Sequence, residues 1–376
     1  MLLPLKGYIV NKHCCDDILH TRNESGEPET GTPKNSFHFS TVMEEHTRES
    51  TIAAYFRDAE DRGIYNQTSQ AAYFAYRQTF MYEGQKTVRN SIVANIDMAS
   101  AHDKIIRHER TFPVFVQKKV ALLKEKFNIY PITCFFTKHY QSVISAINEA
   151  TWTHVYHHNG VLHEFGQIPE KHNDKLHTQH FDELFLADGH HRYDAMMQLH
   201  HSSPKEYRYL LGCFMIPSTD YPMQPIHRMV KLKKRIDAHY ISNYFKKTIK
   251  NFIITEKEGK YPDIATHSYQ IFTREYSCAL HFQKEKAAEL LEKTEKHIFG
   301  KLFENNILYV HYNPQLTKCI DSINEGDYDI MLSPPIFDLQ DLLTFCKSGK
   351  WLPEKTTHLY PKIPGGFLAG KVDNNN

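Results

Sequence analysis

The sequence has no long apolar run and few cysteines, and both absences narrow the class of protein. No window approaches the ~18 apolar residues that a membrane-spanning helix needs, so no membrane partner is expected. The apolar start at residues 1–5 is too short for the core of a signal peptide. The 7 cysteines include no C-x-x-C pair, and Cys14 is adjacent to Cys15, which is typical of free thiols. We therefore expect a cytoplasmic protein.

The chain also lacks an excess of charge of either sign. Its 45 lysines and arginines stand against 44 aspartates and glutamates, which leaves a net charge of +1. The net charge therefore gives no electrostatic reason to expect a polyanion as a partner, and nucleic acid is not an expected partner. The basic run Lys231–Arg235 has no interleaved aromatic residues, which favours a solvated face over a nucleic-acid groove.

Familiar signatures of nucleotide and metal sites are missing as well. The chain has no G-x-x-x-x-G-K-[ST] loop and no G-x-G-x-x-G turn after a strand. The zinc-binding pattern H-E-x-x-H fails at His108 and at His163, because neither is followed by a second histidine at the required position. Adjacent histidines do not lie on one face of a helix, so the several histidine pairs are poor ligand sets. No metal site is predicted.

The sequence does contain an alternation of helical and strand patterns along its 376 residues. This alternation is typical of a mixed α/β or α+β fold, and we predict an α+β protein. A prior of roughly 100–200 residues per domain suggests two or three units. We predict an N-terminal α+β extension (residues 1–100), a central core (residues 101–235) and a C-terminal α/β subdomain (residues 236–376) whose last segment returns to the core. Within the core, Asn159-Gly160 between two β-rich runs predicts a hairpin.

The most informative local feature begins with the apolar residues 184–187, which lead directly into Asp188, Gly189, His190, His191 and Arg192. The pattern predicts a strand, a tight turn at Gly189 and a helix whose first amides lack intrahelical partners. An anion, above all a phosphate, is stabilised at such a helix start. Arg192 and both histidines are suitable donors to phosphate oxygens, and Asp188 is placed to cap the helix or to hold a metal or a histidine. The alternative is a capped, buried turn whose histidines only satisfy the backbone.

Residues 187–192, A-D-G-H-H-R, resemble the phosphate-binding turn of the ParB/sulfiredoxin-like superfamily, in which free-serine kinases have a D-G-H-H-R turn. A further resemblance, which covers nearly the whole chain, is to a bacterial and archaeal family catalogued as domain of unknown function 1015. The matching segments are residues 105–111 (I-I-R-H-E-R-T), 160–163 (G-V-L-H), 226–230 (I-H-R-M-V) and 355–362 (K-T-T-H-L-Y-P-K). The P-P-Y-D-V segment near the start of that family is not evident here.

These resemblances imply a ParB/sulfiredoxin-like core with extensions at both ends and a nucleotide ligand, ATP or ADP with Mg²⁺. In free-serine kinases a glutamate in a similarly placed H-E segment acts as the catalytic base. Glu109 matches that position, and His108 and Asp188 complete the implied catalytic set. Phosphoryl transfer mainly requires that the phosphates be held and that a base take the proton of the acceptor hydroxyl.

Other matching residues are implied to bind the nucleotide or its charge. Arg110 would neutralise charge or bind a substrate carboxylate, and Thr111 belongs with the phosphate-binding residues. The alternative for this segment is a helix start in which Thr111 is the N-cap before Pro113. The resemblance implies that four residues further along the chain face or close over the nucleotide: His227, Arg228, Lys355 and Lys362. The alternative for the first two is a basic pair on the surface, and the alternative for the two lysines is an edge strand.

Several functions are compatible with these features. The leading interpretation is a nucleotide-dependent phosphotransferase that acts on the hydroxyl group of a small metabolite, such as free serine. The runner-up is a ParB-like nucleotide-binding switch or clamp without small-molecule chemistry, and a domain that binds nucleotide without catalysis is a further alternative. A sulfiredoxin-like reductase is disfavoured, because it needs a cysteine where this turn has His190.

Overall fold

In a computed structural model of the chain, placement is described for most of the sequence, and the structural statements below concern that part. The described residues are 2–19, 37, 52–82, 84–124, 127–128, 132–137, 140–177, 183–216, 223–236, 238–248, 253–258, 268–281, 287–337 and 339–371.

The strands and helices alternate along the described chain. The strands are β1 (Leu2–Leu3), β2 (Gly7–Val10), β3 (Tyr65–Gln67), β4 (Phe74–Tyr82), β5 (Gln85–Asp97), β6 (Ile105–Ile106), β7 (Phe127–Asn128), β8 (Thr133–Thr137), β9 (Thr151–His158), β10 (Val161–Gln167), β11 (Leu184–Asp188), β12 (Tyr209–Met215), β13 (Met223–Pro225), β14 (His227–Leu232), β15 (Ile253–Glu258), β16 (Ser268–Phe272), β17 (Tyr276–His281), β18 (Ile307–Asn313), β19 (Ile330–Ser333), β20 (Thr357–Leu359) and β21 (Leu368–Lys371). The α-helices are α1 (Cys15–Ile18), α2 (Ile52–Asp61), α3 (Met98–Ala101), α4 (Pro113–Leu123), α5 (Tyr140–Asn148), α6 (Asn173–His177), α7 (His190–Ser202), α8 (Ala238–Thr248), α9 (Ala287–His297), α10 (Leu316–Glu325) and α11 (Leu339–Lys347).

The largest sheet has nine strands in the order β6-β11-β8-β12-β5-β4-β10-β9, with β1 added beside β5. Along β12, Leu211 and Cys213 enter one hydrophobic core, whereas Leu210 and Phe214 enter another. This period of two shows that both faces of the sheet are buried. Helices α4, α5 and α7 cover one face, and the other face packs towards the N-terminal segment and the second large sheet.

The second large sheet has six strands in the order β15-β17-β16-β19-β14-β18, all from residue 227 onwards. Two smaller sheets bring the end of the chain back: β20 pairs with β13, and β21 lies between β2 and β7. The close pairing of β2 with β21 requires Gly7, because a Cβ atom there would lie 2.2 Å from the carbonyl oxygen of Ala369. The nine-stranded sheet takes strands from both sides of residue 100, and the domain boundaries as such stay predictions.

The α+β class and the hairpin at residues 159–160 are confirmed. Asn159 and Gly160 have φ angles of 50° and 73°, the left-handed values that a two-residue type I′ turn needs. The alternative role of Thr111 as an N-cap is wrong, because α4 begins at Pro113 with Phe112 at the N-cap. All seven cysteines lie in the described part, and none forms a disulfide. No helix in that part is long and apolar enough to cross a membrane.

Candidate functional site

Two strands bring the H-E segment and the D-G-H-H-R turn to the same place. Strand β6 pairs in parallel with β11, with Ile105 opposite Leu184 and Ile106 opposite Phe185. The ends of parallel strands meet at one edge of a sheet, so His108 and the residues after β11 become neighbours. The His108 ring stacks on Phe185 at 5.0 Å between centroids and meets the His190 ring edge-on at 4.4 Å.

The turn after β11 has the geometry that its sequence predicts. Gly189 has a φ of 99° and precedes α7, which begins at His190 without a side-chain cap. A Cβ atom at Gly189 would lie 2.6 Å from the Arg192 guanidinium, so only glycine allows this arginine to fold over the turn. The amides of Arg192 and Tyr193 bond to the Gly189 carbonyl at 2.9 Å. The amides of His190 and His191 come too early in the helix to have an intrahelical acceptor, and they form its positive end.

The carboxylate of Asp188 is held between two cations from distant parts of the chain. Its Oδ2 accepts a hydrogen bond from Arg192 Nη2 at 2.8 Å, and its Oδ1 accepts one from Lys362 Nζ. Burial raises the pKa of Asp188, but Lys362 and Arg192 outweigh burial and bring that pKa well below its ordinary value. The turn therefore carries two positive side chains and one ionised carboxylate, and the Asp188 side chain remains 24% exposed.

His191 is held in one tautomer by a backbone amide. The Phe112 N–H donates to His191 Nε2 at 3.0 Å, so that nitrogen is unprotonated. Burial, followed by the charges of Lys355 and Arg192, lowers the pKa of His191 to about 4, so the ring is neutral at pH 7. The single ring proton of this neutral imidazole consequently lies on Nδ1. His191 thus presents an N–H donor at the second position of α7.

Glu109 is buried and holds the segment near the end of the chain. Its two oxygens accept hydrogen bonds from the amides of Lys355 (2.9 Å), Thr356 (3.1 Å) and Thr357 (3.2 Å). The Thr357 hydroxyl also donates to Glu109 at 3.2 Å, and it shares a second hydrogen bond of 2.7 Å with His108 Nε2. Burial raises the pKa of Glu109, whereas Lys355 and the amide donors act against that rise.

Arg228 holds the same segment from its other side. Its guanidinium is fully buried and donates to the carbonyls of Lys355 at 3.0 Å and Glu354 at 3.2 Å. Glu295, on α9, forms an ion pair with it at 2.8 Å. The neighbouring His227 bonds through Nδ1 to the Ser333 hydroxyl at 2.8 Å, and burial, followed by Arg228, lowers its pKa to about 4.

Arg110 and Thr111 have partners outside the group formed by Asp188, Arg192 and Lys362. Arg110 forms an ion pair with Glu292 on α9, and both side chains are close to half exposed. The Thr111 hydroxyl donates to Asp194 Oδ2 at 2.7 Å, and Arg107 forms an ion pair with the same carboxylate. The contacts with Asp194 fix the H-E segment against α7, and the pair with Glu292 joins it to α9, so these contacts position the site rather than line the turn.

The structure brings most of the sequence-predicted residues into one cluster and adds two that the sequence analysis missed. Arg89 Nη1 donates to the Tyr360 carbonyl at 3.2 Å, and Gln78 Nε2 donates to the Lys362 carbonyl at 3.1 Å. Arg89 Nε also bonds to Gln78 Oε1 at 3.0 Å, so the pair forms a buried clamp that places Lys362. The available signal was the strand period, which puts Arg89 on the inward face of β5 with Thr87.

The carboxylates of the cluster do not form a cation site as they stand. Both oxygens of Asp188 are engaged by Arg192 and Lys362, and both oxygens of Glu109 are engaged by residues 355–357. No group of three or more histidine, cysteine, aspartate or glutamate side chains suited to a metal ion occurs among the described residues. The described residues alone thus offer no fit for Mg²⁺, and no step below passes through it.

Comparison with solved structures finds distant similarity over most of the chain. "Free serine kinase in complex with AMP" has a TM-score of 0.44 and 13% identity, covering 75% of this chain and 91% of that chain. "SbnI with C-terminal truncation from Staphylococcus aureus" has a TM-score of 0.44 and 10% identity, covering 76% and 90%. A conserved hypothetical protein from Pyrococcus furiosus has a TM-score of 0.43 and 13% identity, covering 74% and 95%.

Comparison at the level of sequence gives a more definite result. No curated protein matches the chain. A family model described as "Protein of unknown function (DUF1015)" matches residues 22–328, which is well over half of the 376 residues. The protein therefore belongs to the DUF1015 family, as its sequence motifs predicted.

Proposed function

We propose that the protein is a phosphotransferase that binds ATP or ADP and transfers a phosphoryl group to the hydroxyl of a small metabolite. One observation carries the proposal: Arg192 and Lys362 converge on Asp188 at the start of α7, behind a left-handed glycine. Two cations beside the positive end of a helix are complementary to the phosphates of a nucleotide.

The proposed binding mode uses donors that the fold already orients. Arg192 can make two parallel hydrogen bonds to phosphate oxygens, and Lys362 acts as a point charge beside it. The His191 Nδ1–H adds a neutral donor, and the first amides of α7 add more. Asp188 keeps both cations in place before the nucleotide arrives, which lowers the cost of ordering them on binding.

The proposed chemistry uses Glu109 as the base. The acceptor oxygen attacks the terminal phosphorus, the bond from that phosphorus to the bridging oxygen breaks, the nucleotide leaves as ADP (from ATP) or AMP (from ADP), and the acceptor proton passes to Glu109. Glu109 Oε2 accepts a hydrogen bond from the Thr357 hydroxyl. A substrate hydroxyl in the place of the Thr357 hydroxyl would be held in the same way. A properly placed base contributes roughly 10²–10⁴-fold to the rate.

A second candidate is a nucleotide-binding module that performs no transfer. The observation that favours it is the engagement of Glu109 by four donors of residues 355–357, which gives this carboxylate a structural task. In that case nucleotide binding at the turn would act on the segment that contains Lys362 and switch its position. Both candidates require the same nucleotide site and differ only in the role of Glu109.

Calorimetric titration with ATP and with ADP tests the shared site. We expect binding by the wild-type protein and a loss of roughly tenfold or more in Arg192→Gln and Lys362→Met, because each loses a charge-assisted bond to phosphate. Matched controls are Arg62→Gln, from an exposed i,i+4 ion pair, and Lys171→Met, from an exposed pair with Glu149. Absence of binding by either nucleotide would overturn both candidates.

Transfer of labelled phosphate to a panel of amino acids and small alcohols separates the two candidates. The kinase proposal expects a product with the wild-type protein and a rate at least 100-fold lower in Glu109→Gln, with nucleotide affinity retained. Measurements are made where both proteins are folded, so that lost stability is not read as lost chemistry. Binding without transfer to any acceptor would favour the switch.

A further inference from the structure

A cluster of aromatic rings lies directly beside the turn and is not used by the proposed phosphate contacts. The His191 ring stacks with Phe112 at 6.2 Å and 19° between ring planes, and it meets Phe115 edge-on at 5.7 Å. Phe112 in turn lies 6.2 Å from Tyr312 on β18. We call the residues Phe112, Phe115, His191 and Tyr312 the aromatic platform.

The platform is not explained by packing of the core. Four residues of α4 are buried, namely Val116, Val120, Leu122 and Leu123. Phe115 belongs to the exposed start of the helix: 42% of its surface is exposed, and the Lys118 ammonium lies 5.9 Å from its ring centroid. A large aromatic ring left half in water is a departure that the core does not require.

The start of α4 shows a second departure from local rules. Its N-cap is Phe112, which makes no side-chain cap hydrogen bond, although serine, threonine, aspartate and asparagine are strongly preferred at that position. Places where local rules fail without a local gain concentrate at functional sites. The Phe112 amide instead fixes the tautomer of His191, which joins the platform to the turn.

We infer that the aromatic platform is the nucleobase subsite and that Phe115 is its stacking surface. The inference rests on the proposed function, since it assigns the second half of the same ligand. A nucleotide joins an anionic chain to a flat aromatic base, and here an anion turn and an aromatic cluster with one exposed ring, Phe115, share one side chain, His191. Stacking tolerates any base, because each has a π face, so the subsite would set affinity more than base identity.

Comparison of ATP with inorganic tripolyphosphate isolates the contribution of the base. The variant is Phe115→Ala, and the matched control is Val114→Ala, which truncates an exposed apolar residue of the same helix outside the platform. We expect wild-type protein to bind ATP more tightly than tripolyphosphate. Phe115→Ala should weaken ATP roughly ten- to a hundredfold and leave tripolyphosphate unchanged, whereas Val114→Ala should change neither.

Each contrary outcome identifies what has failed. If Phe115→Ala leaves ATP affinity unchanged, or weakens both ligands equally, the nucleobase assignment is wrong while the phosphate site stands. If wild-type protein binds tripolyphosphate as tightly as ATP, the assignment is wrong in the same way. If it binds neither ligand, the proposed function fails and this inference fails with it. If Phe115→Ala changes the oligomeric state measured by light scattering and not ATP affinity, the platform is an interface between copies.

Discussion

Asp188 and Glu109 are neighbouring carboxylates that the protein holds in opposite ways. Asp188 is held by the long side chains of Arg192 and Lys362, whereas Glu109 is held mainly by backbone amides of residues 355–357. Side chains on flexible stems can change partners when an anion arrives, but the amides of a folded segment move only if the segment moves. The difference separates a place that can exchange its partners for a ligand from a fixed junction, in which Glu109 keeps its amide partners while it acts as the proposed base.

Both carboxylates nevertheless bind the same late segment of the chain. Residues 355–357 complete the environment of Glu109, and Lys362 completes that of Asp188. Arg228 and Arg89 hold the carbonyls of this segment from two further sides. The ligand-accepting place and the fixed junction are thus coupled through the short stretch of backbone from β20 to Lys362, and variants that affect one and not the other test the distinction.

The largest effect is expected at Arg228, on the fixed side of the comparison. Arg228→Met leaves Glu295 as a buried carboxylate without its partner and also removes the bonds to two carbonyls. We expect the free energy of unfolding to fall by about 3–5 kcal/mol, measured by urea denaturation. The control is Arg62→Met, whose ion pair with Asp58 has side chains that are 61% and 52% exposed, and which should lose about 1 kcal/mol or less. Equal losses in the two variants would contradict the idea of a fixed junction.

Glu109→Gln should have the next largest effect. The amide group of glutamine carries one acceptor oxygen and one donor nitrogen, so the donors of residues 355–357 are no longer all satisfied. We expect a loss of about 2–3 kcal/mol in the free energy of unfolding. Glu292→Gln, from the half-exposed pair with Arg110, is the control and should change little. An unchanged stability in Glu109→Gln would show that residues 355–357 do not depend on the carboxylate for their position.

The pH dependence of stability provides a further test of the comparison. It depends on His108, which contacts Thr357 beside Glu109 and His190 beside Asp188. Burial lowers the pKa of His108 from 6.5 to about 4, against the opposing effects of the Leu186 carbonyl and Asp188. The unfolded chain therefore takes up a proton before the folded protein does, and stability is lost as the pH falls from 6.5 towards 4.

The measurement is the free energy of unfolding at pH 7 and at pH 5. Between these values His108→Gln should lose about 2 kcal/mol less than the wild-type protein, because it has one fewer histidine to protonate on unfolding. The control His157→Gln removes an exposed histidine of β9 and should not differ from the wild type in this slope. A slope in His108→Gln equal to that of the wild type would show that His108 is not held neutral.

The sequence predicted the local parts of this site and not the contacts between its parts. The strand, the turn at Gly189 and the following helix were readable because each depends on neighbouring residues. The meeting of Glu109 with residues 355–357 spans more than 240 residues, and no periodicity or spacing encodes such a distance. Only the resemblance to a family assigned these two segments to one site, and the resemblance did not say which of their atoms meet.

Arg89 shows why the buried clamp was overlooked. Charged residues in strands are ordinarily assigned to the exposed face, but Arg89 is 1% exposed and bonds to backbone carbonyls of a segment 271 residues away. Its burial is favourable only because the end of the chain supplies those carbonyls, which is tertiary information. Thr111 is the converse case, since a residue well suited to cap a helix instead bonds across to Asp194.

The smallest expected effect concerns the tautomer of His191, on the ligand-accepting side. Asparagine places an N–H donor near the position of Nδ1, whereas glutamine places its polar group near Nε2, where the Phe112 amide needs an acceptor. If Nδ1–H binds a phosphate, His191→Asn should keep ATP affinity within about twofold, and His191→Gln should lose about 1.5 kcal/mol, roughly tenfold. Nitrogen chemical shifts of the ring give an independent check, because they identify the protonated nitrogen without any ligand. Weaker binding by His191→Asn than by His191→Gln would assign the ring to holding α4 and would leave the phosphates to Arg192 and Lys362 alone.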